Sequence, residues 1–427
     1  MCIVILSQNC IAMKIYYILQ ILLLLLIQQV QAQVYGCTDK LSTNYNPNAT
    51  VNDGSCVYAS ASVAVISVNL PAEVRETSGL VFIDGNLYTH NDDSDINIYK
   101  LDTIAGTVTE RLPITGTANQ DWEDIDQDDK YIYIGDFGNN VSGNRSNLRV
   151  IRVDKKSLLS GKPVINSINF KYSNQTDFSP KPNNATDFDC EAFIVGKDNI
   201  YLFTKQWVSK QTSVYVLPKT PGTHTAQLSG TYNVGGLVTG ATYLEDKKLV
   251  VLSGYSTLLS PFISLFYDYK GQDFFSGNKR KLNVSLSFNQ IEGIATQNGI
   301  DYFLSNENFA QAPFINTTQK LHKLTLAPYL SEYLQDIESR SILGTEKTLS
   351  GAGISIYPNP AFDIVRIEGK QKMNGRQFTL FDVNGKHVVR GMLNDVSNSV
   401  DISALNSGIY FINISGYERD NFKLIKK

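Results

Sequence analysis

The sequence predicts an all-β protein, a five-bladed β-propeller followed by a small Ig-like β-sandwich. Three observations predict it. A unit of apolar strand, turn and two further strands recurs about every 45 residues between positions 63 and 327. The chain holds 23 Tyr and 20 Phe but only 19% charged residues, a balance that favours strands joined by polar turns over helical bundles. Beyond a polar hinge, short alternating strands resume on either side of Asn384-Gly385, a pattern that reads as a small antiparallel sandwich.

At 427 residues the chain exceeds one small core. A net charge of −3 shows no basic excess and argues against nucleic acid as a partner. Residues 1–32 read as a signal peptide. Lys14 precedes the apolar run Ile15–Ile27, and Val30-Gln31-Ala32 offers small or apolar residues for cleavage after Ala32. Met13 makes a better start than Met1. The alternative is an uncleaved membrane anchor, although the run is shorter than the roughly 20 apolar residues a span needs. No transmembrane span is expected once the leader is removed. Cys2 and Cys10 lie in the leader, Cys37 and Cys56 remain as a pair, and Cys190 is left over. An isolated pair behind a leader is the usage of an oxidising compartment.

Residues 33–60 form a short module bounded by those two cysteines. Gly36-Cys37-Thr38-Asp39, Asn44-Tyr45-Asn46-Pro47, Ala49 and Asp53-Gly54-Ser55-Cys56 resemble a Cys-bounded repeat of secreted Bacteroidetes proteins; Ser42 stands where Ala is usual. So short a stretch cannot bury a core, and a disulfide across it would contribute about 3 kcal/mol in the chain-entropy picture. Asp39, Asn44, Asn46 and Asp53 supply hard oxygens suited to Ca²⁺. Set against that, Asn-Pro and Asp-Gly simply make turns.

Five units follow. Their opening strands are Thr77–Val81, Trp122–Ile125, Cys190–Ile194, Thr239–Tyr243 and Ile291–Ala295. The second strands are Asn86–Thr89, Tyr131–Ile134, Asn199–Phe203, Leu249–Leu252 and Asp301–Leu304. The third are Ile98–Leu101, Leu148–Val153, Val214–Leu217, Ile263–Phe266 and Leu321–Leu324. Such units bury their faces only against neighbours, so the ring must close. Ala64–Val68 is placed to supply the last unit's outer strand. A sixth, poorly marked blade and a two-sheet sandwich of the same strands are the alternatives.

Innermost propeller strands line the central channel, and Glu123, Glu191 and Glu292 open three of the five at equivalent positions. Two carboxylates about 4 Å apart repel by roughly 4 kcal/mol at an effective dielectric near 20. A cluster of them needs a cation, a basic partner or a retained proton. Asp92, Asp136 and Asn306, each just after a second strand, could add oxygens from the rim, which makes Ca²⁺ the expected ion. The bland reading is a polar, water-filled channel.

The Glu-Gly and Glu-Asp strand openings and the turn Gly135-Asp136-Phe137-Gly138-Asn139 resemble secreted propellers of the phytase-like and nucleotidase type. That resemblance implies calcium and rim carboxylates acting on phosphate esters. The chain lacks a dense Lys/Arg set beside its acids; Arg145, Arg149, Lys205 and Lys210 are the nearest cations. Paired carboxylates equally suit glycoside cleavage. His90, His224, His322 and His387 show no metal-binding spacing, and no nucleophile elbow, P-loop or dinucleotide fingerprint is present. Cys190 reads as a buried thiol. Trp122, beside Glu123, is either a sugar platform or a packing residue.

Residues 328–353 break the repeat with a short helix expected over Tyr329–Ile337 and a hinge at Ser350, Gly351 and Gly353. Ile354–Ala361, Phe378–Lys386, Val400–Ser403 with Leu405, Gly408–Phe411 and Lys423–Lys427 resemble the type A C-terminal sorting domain of type IX secretion cargo. The resemblance covers residues 354–427. It implies the type IX machinery as partner, passage across the outer membrane, removal of the domain, and release or surface attachment. The expected protein is an exported binder of an unknown extracellular glycan or protein, with a calcium-dependent hydrolase of phosphate esters or glycosides as the alternative.

Overall fold

The computed structural model describes residues 33–343 and, apart from 358, 370–372, 374, 384 and 416–421, residues 354–427. The expected signal peptide with Met13 and the hinge residues Ser350, Gly351 and Gly353 lie outside the described residues. Among the described residues strands hold 51% and helices 7%, which excludes any helical or α/β reading. The chain divides into two compact units between Tyr329 and Leu330.

The first unit opens with the Cys-bounded module. β1 (Tyr35–Gly36) pairs in parallel with β2 (Val51–Asn52), and a Cys37–Cys56 disulfide closes the segment. β3 (Ser62–Val63) and β4 (Ile66–Asn69) follow. Four-stranded antiparallel meanders come next. The first is β5 (Thr77–Ile83), β6 (Asn86–Asn91), β7 (Asn97–Leu101) and β8 (Val108–Pro113). The second is β9 (Trp122–Gln127), β10 (Tyr131–Asp136), β11 (Arg149–Asp154), the short helix α1 (Lys155–Leu159) and β12 (Ile165–Tyr172). The third is β13 (Asp189–Val195), β14 (Asn199–Lys205), β15 (Thr212–Pro218) and β16 (Gly222–Tyr232). The fourth is β17 (Leu237–Leu244), β18 (Leu249–Tyr255), β19 (Pro261–Tyr267) and β20 (Asn278–Val284). The fifth is β21 (Ile291–Thr296), β22 (Asp301–Asn306), a hairpin of β23 (Phe309–Gln311) and β24 (Ile315–Thr317), and β25 (Lys320–Thr325).

This fifth meander takes its outer strand from the start of the unit. β4 pairs antiparallel with β25, from Ile66 opposite Lys323 to Asn69 opposite Lys320. Each 45-residue repeat therefore builds a meander of its own, and the second and third meanders join edge to edge into one eight-stranded sheet. First strands neighbour one another in a closed cycle, β5 to β9, β13, β17, β21 and back to β5. Two outer edges are covered as well: β12 pairs in parallel with β16, and β20 with β3. Such pairing removes edges that would otherwise invite association.

Alternation explains why the strands read as nearly continuous apolar runs. Along β10, Ile132 and Ile134 enter the core shared with the first meander, whereas Tyr133 enters the core shared with the third. A strand buried on both faces has no polar side to display. The docked module is held to the fourth meander by Asn52 Nδ2 on Asp268 (2.8 Å) and Asn278 (3.0 Å), and by the Arg280 guanidinium 4.7 Å from the Tyr58 ring centroid.

Helix α2 (Ala327–Leu343) runs six residues beyond the expected Ile337 and spans the boundary between the units. In the second unit, β26 (Ile354–Tyr357), β27 (Ile364–Gly369) and β30 (Ser397–Asp401) form one sheet. β28 (Arg376–Asp382), β29 (His387–Leu393), β31 (Gly408–Ile414) and β32 (Phe422–Lys426) form the other, in the order β29-β28-β31-β32. Both sheets bury side chains in one core, including Val365, Ile367, Leu380, Leu393, Ile412 and Leu424.

Candidate functional site

Each first strand of the large unit carries a register shift near its start. In β9, β13, β17 and β21 the extra residue is Glu123, Glu191, Thr239 and Glu292; in β5 the shift spans Ser78 and Gly79. A bulge bends the strand and re-aims the extra side chain. Two of these side chains are hydroxyls and tie the ring: Ser78 donates to the Glu123 carbonyl and Thr239 to the Ile291 carbonyl. The residue after the bulge faces the neighbouring inner strand. A Cβ on Gly240 would lie 2.5 Å from the Glu292 carbonyl, and one on Gly293 would strike the Ser78 carbonyl. Asp124 takes the same place in β9. Its carboxylate accepts the N–H groups of Ile125 (2.9 Å) and Phe193 (3.1 Å) and so satisfies inner-edge donors of two strands.

The three bulge glutamates are buried, Glu123 and Glu292 to 6% exposure and Glu191 to 3%. Glu191 forms an ion pair with Lys205 at 3.1 Å, with both side chains shielded from solvent. The ammonium also lies 4.8 Å from the Trp207 ring centroid and 5.2 Å from that of Tyr255. Burial opposes the Lys205 charge, but Glu191, Glu292 and Asp189 outweigh it and hold the group well above the usual lysine range. Asp189 accepts from Trp207 Nε1 at 2.7 Å and from the Asn139 N–H at 2.5 Å.

One lysine does not balance this mouth. Burial, then Glu191 and Asp121, push the Glu123 carboxyl well above its ordinary range. Burial, then Glu307, Glu191 and Asp92, do the same to Glu292 against the pull of Lys205. Burial with Glu307 and Glu76 carries Asp92 up to about 8. Burial raises Glu307 to about 7 and Asp121 to about 6. Glu76, Asp92 and Glu307 each bring a carboxylate oxygen within 4.8 Å of the other two. These are half-buried and lie beside the deeper glutamates.

Of the residues expected at the axis, Glu123, Glu191, Glu292 and Asp92 therefore share this acidic mouth. Asp136 and Asn306 are committed elsewhere. Asp136 is fully buried between Arg145 (3.0 Å) and Arg149 (2.8 Å). Asn306 donates to the Glu307 and Thr318 carbonyls and accepts from His322 Nε2 at 2.8 Å. The four cations nearest the acids also have protein partners, since Lys210 donates to the Trp207 carbonyl. Trp122 is fully buried against His90 and serves packing, and Cys190 is a buried free thiol.

The module's oxygens already have protein partners. Asp39 accepts from the Leu41 N–H and from the Tyr58 and Tyr267 hydroxyls. Asn44 bridges Ser55 and Val57, Asn46 accepts from the Asn48 N–H, and Asp53 accepts from the Ser55 N–H. The bonds of Leu41, Asn48 and Ser55 are turn bonds, whereas Asp39 also reaches Tyr267 in the fourth meander.

Sequence reasoning missed Glu76, Asp121, Asp189 and Glu307. A signal existed for three of them. Asp121-x-Glu123 and Asp189-x-Glu191 repeat one spacing, and Asn91-Asp92 and Asn306-Glu307 repeat an Asn-acid pair at the ends of equivalent strands. It missed the opposite mouth too. There a cleft of about 370 Å³ is lined by Asp84, Asp126, Gln127, Thr242, Tyr243 and Gln297, among others.

In the smaller unit the decisive observation is a family match. Residues 355–427 match the secretion system C-terminal sorting domain. This segment is a type IX sorting domain. The sorting domain implies export to the cell surface or secretion. Among the described residues no helix is long and apolar enough to cross a membrane. No curated protein matches the chain. Among solved structures, PorZ of Porphyromonas gingivalis is described as an essential bacterial surface component of the type-IX secretion system. It is 13% identical over 82% of this chain and 45% of its own, with a TM-score of 0.30. A putative oxidoreductase (glucose dehydrogenase) from Thermus thermophilus is 8% identical over 61% of this chain and 100% of its own, with a TM-score of 0.36. The chain spans less than half the length of PorZ.

Proposed function

We propose that this is an exported binding protein, a five-bladed propeller carried outward by an Ig-like sorting sandwich, which takes a basic segment of a protein partner at its acidic mouth. The observation that carries this reading is the composition of that end. Loops after the second strands and loops leading into the first strands all emerge there, because those strands run antiparallel. Their tips expose Val141, Val208, Leu258, Phe288 and Phe314, with Leu258 at 77% and Phe314 at 91% exposure. An excess of buried carboxylates ringed by exposed apolar tips supports recognition of a partner that brings positive charge and apolar flanks.

Basic, acidic and neutral peptides and neutral glycans immobilised side by side test the reading. Basic peptides with apolar flanks should be retained and released by salt, since rim charges are screened within about 8 Å at physiological ionic strength. Leu258→Asp with Phe314→Asp should weaken retention at least about tenfold with an unchanged Tm, because both tips are solvent-exposed. Retention of glycans alone would refute the reading. So would turnover of phosphate esters or glycosides that Glu191→Gln abolishes, the result expected of a hydrolase.

A further inference from the structure

The fifth meander meets the first where the ring closes, and the seam is held by backbone. The Asn308 N–H donates to the Arg75 carbonyl at 2.7 Å across it, and the Asp92 N–H donates to the Glu76 carbonyl at 3.1 Å beside it. These bonds place the side chains of Glu76 and Asp92, from the first meander, against Glu307 from the fifth. Behind them stands Glu292, 6% exposed. Among the described residues its Oε2 is buried without a hydrogen-bond partner, and the charges of Glu307 and Asp92 reach its carboxyl.

We propose that Glu76, Asp92 and Glu307, backed by Glu292, bind a Ca²⁺ ion that ties the first meander to the last. Carboxylates from three separate backbone segments match the many-oxygen, flexible shell that Ca²⁺ takes, with water completing it. Neighbouring cations are already engaged. Lys205 pairs with Glu191, and Arg75, itself mostly exposed, contacts only Oε1 of Glu76, at 2.8 Å. A divalent ion would answer both the like-charge repulsion and the orphaned Glu292 oxygen. The ion spans the closure, so it binds the folded ring and not the open chain.

The test is calorimetric titration of Ca²⁺ into the chelator-treated exported protein, paired with thermal melts. One ion per chain should bind, with Kd on the order of 10⁻⁴ M or tighter. Saturation should raise Tm by about 3–6 °C through mass action. Asp92→Asn and Glu307→Gln should each weaken binding at least about tenfold, whereas Asp53→Asn in the Cys-bounded module should not. A second readout separates ligation from packing. Because Asp92→Asn removes repulsion, it should raise the Tm of the metal-free protein while abolishing the Ca²⁺ shift. The proposal is overturned if the wild type binds no Ca²⁺ or if Asp92→Asn binds it normally. It is equally overturned if binding is lost only in Asp53→Asn, or if Asp92→Asn lowers Tm with and without the ion.

Discussion

His322 spends both ring nitrogens on the ring closure. Asn306 Nδ2 donates to two carbonyls, which leaves its Oδ1 as an acceptor, so His322 Nε2 carries the proton it gives to Asn306. Nδ1 then accepts from the Ser67 hydroxyl on the closing strand at 2.7 Å. Burial depresses the imidazole to about 4, with Lys320 adding to the effect. A histidine held neutral contributes stability that is full above its unfolded value near 6.5 and is lost as pH falls toward about 4. Between pH 7 and pH 4 the wild type should therefore lose about 3 kcal/mol more than His322→Gln, read from urea melts at each pH. Equal losses would mean that His322 charges freely in the fold. The same network shows why Asn306 looked like a channel ligand in the sequence. Its position at the end of a second strand was legible; the histidine 16 residues later that claims its oxygen was not. Glu123, Glu191 and Glu292 were legible because repetition alone marked them as equivalent. Glu76 was not, since it precedes its strand outside any repeated spacing.

Among the elements, the inner strands set the tightest packing. They neighbour one another in a closed cycle, and at β17 and β21 the residue after the bulge touches the adjacent strand. At Gly293 that neighbour is backbone, the Ser78 carbonyl, and cannot swing aside. Gly293→Ala should therefore cost about 1–3 kcal/mol and lower Tm by several degrees in a melt. Gly230→Ala is the control. A Cβ there meets only Phe275 at an ordinary 3.6 Å, so the change should stay within about 0.5 kcal/mol. If both variants melt alike, inner-strand contact does not limit the ring. First, second and third strands could be read from short apolar runs because both of their faces are buried. Apart from the closing strand at Ala64–Val68, the outer strands could not, since β8 and β16 are polar and largely exposed and share the composition of loops. The parallel pairings of β12 with β16 and of β3 with β20 depend on where whole sheets come to lie, which local pattern does not encode.

For the whole molecule, the order of parts along the chain matches a delivery route. The Cys37–Cys56 disulfide forms only where thiols are oxidised, outside the cytoplasm, while Cys190 is sealed in the core and stays out of exchange. The sorting segment buries an apolar core of its own, fed by both of its sheets, and clusters apart from the larger unit. Moving it to another protein should therefore preserve its fold. A chain ending at residue 353 should accumulate in the periplasm of a host with type IX secretion, with its disulfide formed and its large unit folded. A periplasmic reporter carrying residues 354–427 should instead reach the surface or the medium. Fractionation with immunoblotting reads both arms at once. Normal appearance of the truncated chain in the medium would show that export does not depend on the segment. Retention of the fused reporter would show that the segment does not suffice, and that the exit signal also draws on the larger unit.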